Sequence, residues 1–201
     1  MVPANLDHIV IAVPDLSAAQ ESFRTVLGLE SVGGGRHDGA GTENSIVPLQ
    51  DCYLELVTVV DPAAAATNPF GRLVSFALQH RLLFAGWAIA RSPAADAGLS
   101  HQRLTRHGVA VDLYGVDEVV GASHRPFLLV RPPHQPRPGA DVAPAAQLVG
   151  MSVARPGMGP AVALNHADPL AEPAADGCRG YLAAVELRLP DGSARTLTYE
   201  N

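Results

Sequence analysis

A chain of 201 residues exceeds the commonest single-domain length, yet it is short enough for one domain or for two fused modules sharing a core. With 14 basic against 20 acidic residues, a formal net charge of -6 and no basic run, it has no electrostatic footprint for a nucleic-acid backbone. Hydrophobic residues make up 47% and aromatics only 5%, so Val, Leu, Ala and Ile must fill most of the interior. Cys52 and Cys178 lie far apart without a CxxC pattern, which predicts a reducing, cytoplasmic setting. The N-terminal segment has no basic region, and its apolar stretch from Ile9 to Val13 is too short for a signal or a membrane span, so no membrane partner is expected.

In chain order, Leu6 to Val13 (LDHIVIAV) is apolar on both faces and rich in β-branched residues, predicting a strand covered on one side and lining something on the other. Pro14 stops it, and Asp15 can cap the next segment. Ala18, Phe23, Val26 and Leu27 fall near helical spacing before Gly28, so Ser17 to Leu27 is predicted as a helix. Glu30 to Val32 predicts a short strand broken by Gly33, Gly34 and Gly35; Asn44 to Leu49 and Cys52 to Val60 predict two more around a turn at Gln50 and Asp51. A linking helix over 69–83 then leads to a degenerate second pass. This comprises a strand at Gly86 to Ala90, a helix at Ala94 to His107 ended by Gly108, and strands at 109–113 and 126–131. The proline-rich stretch 131–144 reads as a connection. Leu148 to Pro156 begins a third pass, and a hairpin closes the chain, with Tyr181 to Leu189 and Ala194 to Tyr199 around Pro190-Asp191-Gly192. The expected organisation is one α+β domain, with a first β-α-β-β-β module over 1–66, a second over 84–132 and a β-rich partial module or cap over 145–201.

The run Leu6-Asp7-His8-Ile9-Val10-Ile11-Ala12-Val13-Pro14-Asp15-Leu16, the later Cys52-Tyr53-Leu54-Glu55-Leu56, the helix and Leu27-Gly28-Leu29 between them, and the stretch Gly35 to Asn44 occur together in order. This pattern resembles the glyoxalase-like domains of the vicinal oxygen chelate superfamily. The resemblance implies paired modules forming a curved mixed sheet around a pocket, with helices on the convex face. It also implies a small-molecule ligand or substrate and is compatible with a homodimer. In metal-dependent members, inward side chains from the first and last strands of paired units bind a divalent ion.

The period of two along a strand bears on this independently, because alternate residues share a face. His8 goes with Leu6, Val10 and Ala12, and Glu55 with Tyr53, Val57 and Val59, so both polar groups lie on faces able to line a cavity. An imidazole and a carboxylate from one sheet are the beginning of a Zn, Mn, Fe or Ni site. The second module departs from the pattern: matching it to the first puts Trp87 at the position of His8 and Leu129 at that of Glu55, and neither can ligate. Either a metal is completed by His37, another strand or a second subunit, or there is none.

Each candidate also has a plainer reading. His8 can be a core histidine satisfied by backbone or by Glu55. Glu55 is harder to dismiss, since a carboxylate inside an apolar strand needs a partner or a shifted pKa. His37, Thr42 and Asn44 contact a ligand or merely cap a glycine-rich turn. Trp87, the only tryptophan, stacks on a ligand or fills core, and Tyr53 and Phe127 would complete an aromatic cleft. The histidines at 80, 101, 107, 124, 134 and 166 show no metal spacing and read as surface or loop residues.

Three functions compete on these residues. The first is a metal-assisted lyase, isomerase or dioxygenase in which His8 and Glu55 are ligands or Glu55 is the base. The second is a metal-free protein that sequesters a planar ligand between Trp87, Phe127 and Tyr53. The third is metal-free proton transfer by Glu55 and His8.

Overall fold

The computed structural model describes residues 2–91, 98–155, 158–163 and 180–198. Strand β1 (Leu6–Ala12) leads into α1 (Leu16–Leu27), which starts where the Asp15 carboxylate accepts from the Ala18 N–H and ends on left-handed Gly28. Strands β2 (Val32–Arg36), β3 (Thr42–Pro48) and β4 (Tyr53–Val59) complete the first unit. Helices α2 (Pro62–Thr67) and α3 (Pro69–Gln79) link it to β5 (Phe84–Ala90), β6 (His101–Arg106), β7 (Val109–Tyr114), the short α4 (Val116–Val119) and β8 (Phe127–Val130). Asp61 and Asn68 cap the two linking helices through side-chain oxygens, each with a proline in the first turn. These eight strands form one mixed sheet in the order β2-β3-β4-β1-β5-β8-β7-β6. Each half contains one parallel pair, β1 with β4 and β5 with β8, and the halves join where β1 and β5 run antiparallel.

The sheet curls until its edges meet. Asp38 N–H donates to the Thr105 carbonyl at 2.8 Å, and the His107 ring donates from Nε2 to the Gly34 carbonyl at 2.9 Å. Here the glycine triplet, expected to break regularity, instead forms most of β2. Gly34 has φ +109°, and a Cβ there would fall inside the Asn44 carbonyl; at Gly35 it would strike the His107 ring. Only glycine lets β2 run this close to both neighbours.

Two clusters of buried side chains lie on the two faces of the sheet. Ile9, Ile11 and Leu54 of the outer face pack with Phe23 and Leu27 of α1, as alternation predicts. The inner face contributes Val10, Ala12, Val57 and Phe127, which pack against Phe70, Leu73 and Ala77 of α3. The linking helix therefore plugs the concave side.

A second sheet follows, built from β9 (Gln147–Arg155), β10 (Met158–Ala163), β11 (Tyr181–Arg188) and β12 (Ala194–Thr198) in the order β10-β9-β11-β12. Its Met151, Leu182 and Val185 share a cluster with Phe84, Trp87 and Ile89 of β5, so this sheet caps the outer face of the second half. The helix expected over Ala94 to His107 is overturned: residues 92–97 lie outside those described, and His101–Arg106 is a strand paired with β7. The reason is the double meaning of Gly108. His107 (φ 49°) and Gly108 (φ 75°) form a two-residue hairpin turn between Arg106 and Val109, and a left-handed glycine marks such a turn as well as it marks a helix end. No helix among the described residues is long and apolar enough to cross a membrane.

Candidate functional site

The concave face encloses a cavity of about 690 Å³, a size suited to a small organic molecule. His8, Tyr53 and Glu55 reach it from β1 and β4, Asn44 from β3, and His37 from the turn after β2. Leu104, Val111, Leu113 and Leu129 make an apolar wall, and the proline-rich connection contributes Gln135 and Arg137 as a strap along one side. That connection is therefore part of the site.

Glu55 is the centre. It is 5% exposed, its Oε2 lies 3.4 Å from His8 Nε2, its Oε1 lies 3.5 Å from His37 Nε2, and the Asn44 amide donates to Oε1 in a short hydrogen bond. Burial pushes its pKa up, but the His37 hydrogen bond, the charges of His8 and His37 and the Asn44 bond together outweigh that and hold it at about 2. Asn44 in turn accepts from Arg106 Nη1 at 2.8 Å, and His37 Nδ1 is hydrogen-bonded to Thr42 Oγ1 at 2.9 Å. Thr42 does not line the cavity; it sets the His37 ring.

His8 is fixed just as firmly. Its Nδ1 donates to Asp7 at 2.8 Å, its ring stacks on Tyr53 with centroids 4.8 Å apart, and Phe127 packs against it edge-on at 5.7 Å. Phe127 is fully buried behind His8 and lies outside the cavity lining. Asp7 is 2% exposed and accepts two hydrogen bonds from Arg131, which also donates to the Tyr53 hydroxyl at 3.1 Å. Burial raises the Asp7 pKa, but His8 and Arg131 more than offset it and leave the group well below the usual carboxylate range. Arg131 is thus neutralised by its own bidentate partner.

Trp87 does not reach this site. Its backbone pairs with Ile9 and its ring lies in the outer cluster, where Nε1 donates to the Ser123 carbonyl at 3.1 Å. The residue opposite His8 is Ala88, so the matching of Trp87 to His8 is one position out, and a slip of one along a strand exchanges its faces. Leu129 does line the cavity, as expected for the counterpart of Glu55. Of the aromatic cleft expected from Trp87, Phe127 and Tyr53, only Tyr53 faces the cavity.

A family model described as a glyoxalase-like domain matches residues 6–158. The chain belongs to the glyoxalase-like domain family. The solved structures similar to this glyoxalase-like protein include a variant of methylmalonyl-CoA epimerase from Streptomyces coelicolor, in complex with 2-nitronate-propionyl-CoA. It is 16% identical, with a TM-score of 0.50 over 67% of this chain and 99% of that one. A hypothetical protein from Staphylococcus aureus is 12% identical, with a TM-score of 0.53 over 96% of this chain and 84% of that one. No curated protein matches. Members of the superfamily commonly bind divalent metals. This chain's donors fit that poorly: Ala88 and Leu129 stand where the second half would supply ligands, and the first half's His8, His37 and Glu55 are turned onto one another.

Among the site residues that escaped prediction from the sequence are the charged groups Asp7, Arg106, Arg131 and Arg137. Asp7 carried a usable signal, since a carboxylate in an apolar strand must be paired if buried. The arginines carried none, because each follows or interrupts a segment whose position across the cavity only the sheet's closure determines.

Proposed function

We propose that this glyoxalase-like protein binds a small organic molecule in its cavity and shifts a proton on it, an isomerase-type reaction carried by His8 and His37 around the fixed charge of Glu55. What supports this most is the convergence of two imidazole Nε2 atoms on one buried carboxylate at the cavity wall. A carboxyl held at about 2 is a weak base, so Glu55 is better suited to stabilise a protonated imidazole than to take the proton itself. Histidine is the side chain that exchanges protons near neutrality, and Asp7 orients His8 with Nε2 toward Glu55. A C–H beside a carbonyl group is the organic acid within reach of such a pair. No step is assigned to a metal ion.

Deuterium exchange tests the proposal. A panel of ketones, 2-oxo acids and thioesters is incubated in D2O with the protein, and exchange beside the carbonyl is followed by NMR. Exchange above the buffer rate should appear for at least one compound and fall about a hundredfold or more in His8→Gln. Binding without exchange would favour the second reading, a sequestering protein, for which the apolar wall of Leu104, Val111, Leu113 and Leu129 speaks.

A further inference from the structure

We infer that the cavity's ligand is an organic anion, a carboxylate on an apolar body, and that Arg106 and Arg137 hold its charged end. This rests on the small-molecule reading of the same cavity and names the class of molecule. Three arginines line the cavity, but they are not equivalent. Arg131 is spent on Asp7. Arg106 donates from Nη1 to the neutral Asn44 amide oxygen, and among the described residues no carboxylate pairs with it or with Arg137. A guanidinium has five N–H donors in a planar fork, so Arg106 keeps most of its donor capacity.

The acids lining the cavity do not supply the missing charge. Glu55 is enclosed by His8, His37 and Asn44, and Asp141 is an exposed residue on the strap. Arg106 and Arg137 thus line one cavity without an ion-pair partner among the described residues, an arrangement that an anionic ligand would complete. Asn44 and Glu55 link Arg106 to His37, so an anion held by Arg106 lies toward the imidazole end of the cavity, while the leucine and valine wall takes the apolar body. The charged end thereby fixes which carbon meets the imidazoles.

Matched pairs test this directly: cyclohexanecarboxylate and 2-oxo-4-methylpentanoate, each against its own carboxamide, titrated calorimetrically into the full chain. The carboxylate should bind about tenfold or more tightly than the amide, and its affinity should fall with added salt. Arg106→Met and Arg137→Met should each erase most of that preference, while Arg106→Lys should retain part of it. If Arg106→Met does not fold, Arg137→Met on the strap and the salt dependence of the unaltered protein decide the matter. Equal binding of acid and amide overturns the anion assignment and leaves the small-molecule pocket standing. Binding of neither member of either pair overturns both.

Discussion

Replacing Glu55 by glutamine should flatten the acid limb of the stability curve by an amount the structure fixes. The folded-state pKa of Glu55 is about 2 against an ordinary value of 4.5, so protonation favours the unfolded chain. Its contribution is fully present above pH 4.5 and is lost as the pH falls toward 2. A change of that size is worth about 3 kcal/mol in all, of which about 2 kcal/mol is gone at pH 3. Asp7 acts in the same direction and reaches lower pH, but it is common to both proteins, so the difference between them isolates Glu55. Urea unfolding at pH 6 and pH 3 can be followed by the fluorescence of Trp87, the only tryptophan and a fully buried one. Between those pH values the unaltered protein should lose about 2 kcal/mol more than Glu55→Gln does. Parallel curves would refute the reasoning, because they would mean that Glu55 is not held ionised by His37, His8 and Asn44.

Other perturbations separate site from scaffold. Trp87→Phe removes the donor to the Ser123 carbonyl and part of the outer core; it should cost about 1–3 kcal/mol in urea unfolding while leaving ligand affinity unchanged. Gly34→Ala forces a Cβ into the Asn44 carbonyl at φ +109° and should cost about 3 kcal/mol or more, seen as a lowered Tm, because β2 can no longer run against β3. Protein prepared without added metal should carry less than one equivalent of divalent ion by elemental analysis. Loading with Zn, Mn, Fe or Ni should not raise its Tm; a rise that disappears in His37→Ala would overturn the argument from Ala88 and Leu129.

Local pattern was enough to identify the two strands that carry the centre of the site. On β1 and β4 an apolar alternation of period two surrounds His8 and Glu55, and that period assigns both to the inner face without knowledge of what lies opposite. Helix α1 was legible for the same local reason, with a capping aspartate before it and a left-handed glycine after it. The misread elements were those whose local signal has two meanings. Gly108 served a helix end and a hairpin equally, and a one-residue choice of register on β5 decided whether Trp87 faced the cavity or the cap.

The wiring of the site, by contrast, exists only in the folded chain. Asp7 and Arg131 are 124 residues apart, and Asn44 and Arg106 are 62 apart. The first pair forms because only β5 separates β1 from the end of β8, and the second because the sheet's closure brings β3 to the β6–β7 hairpin. Register and curl are settled by the packing of two faces at once, and no local pattern in the chain contains that information.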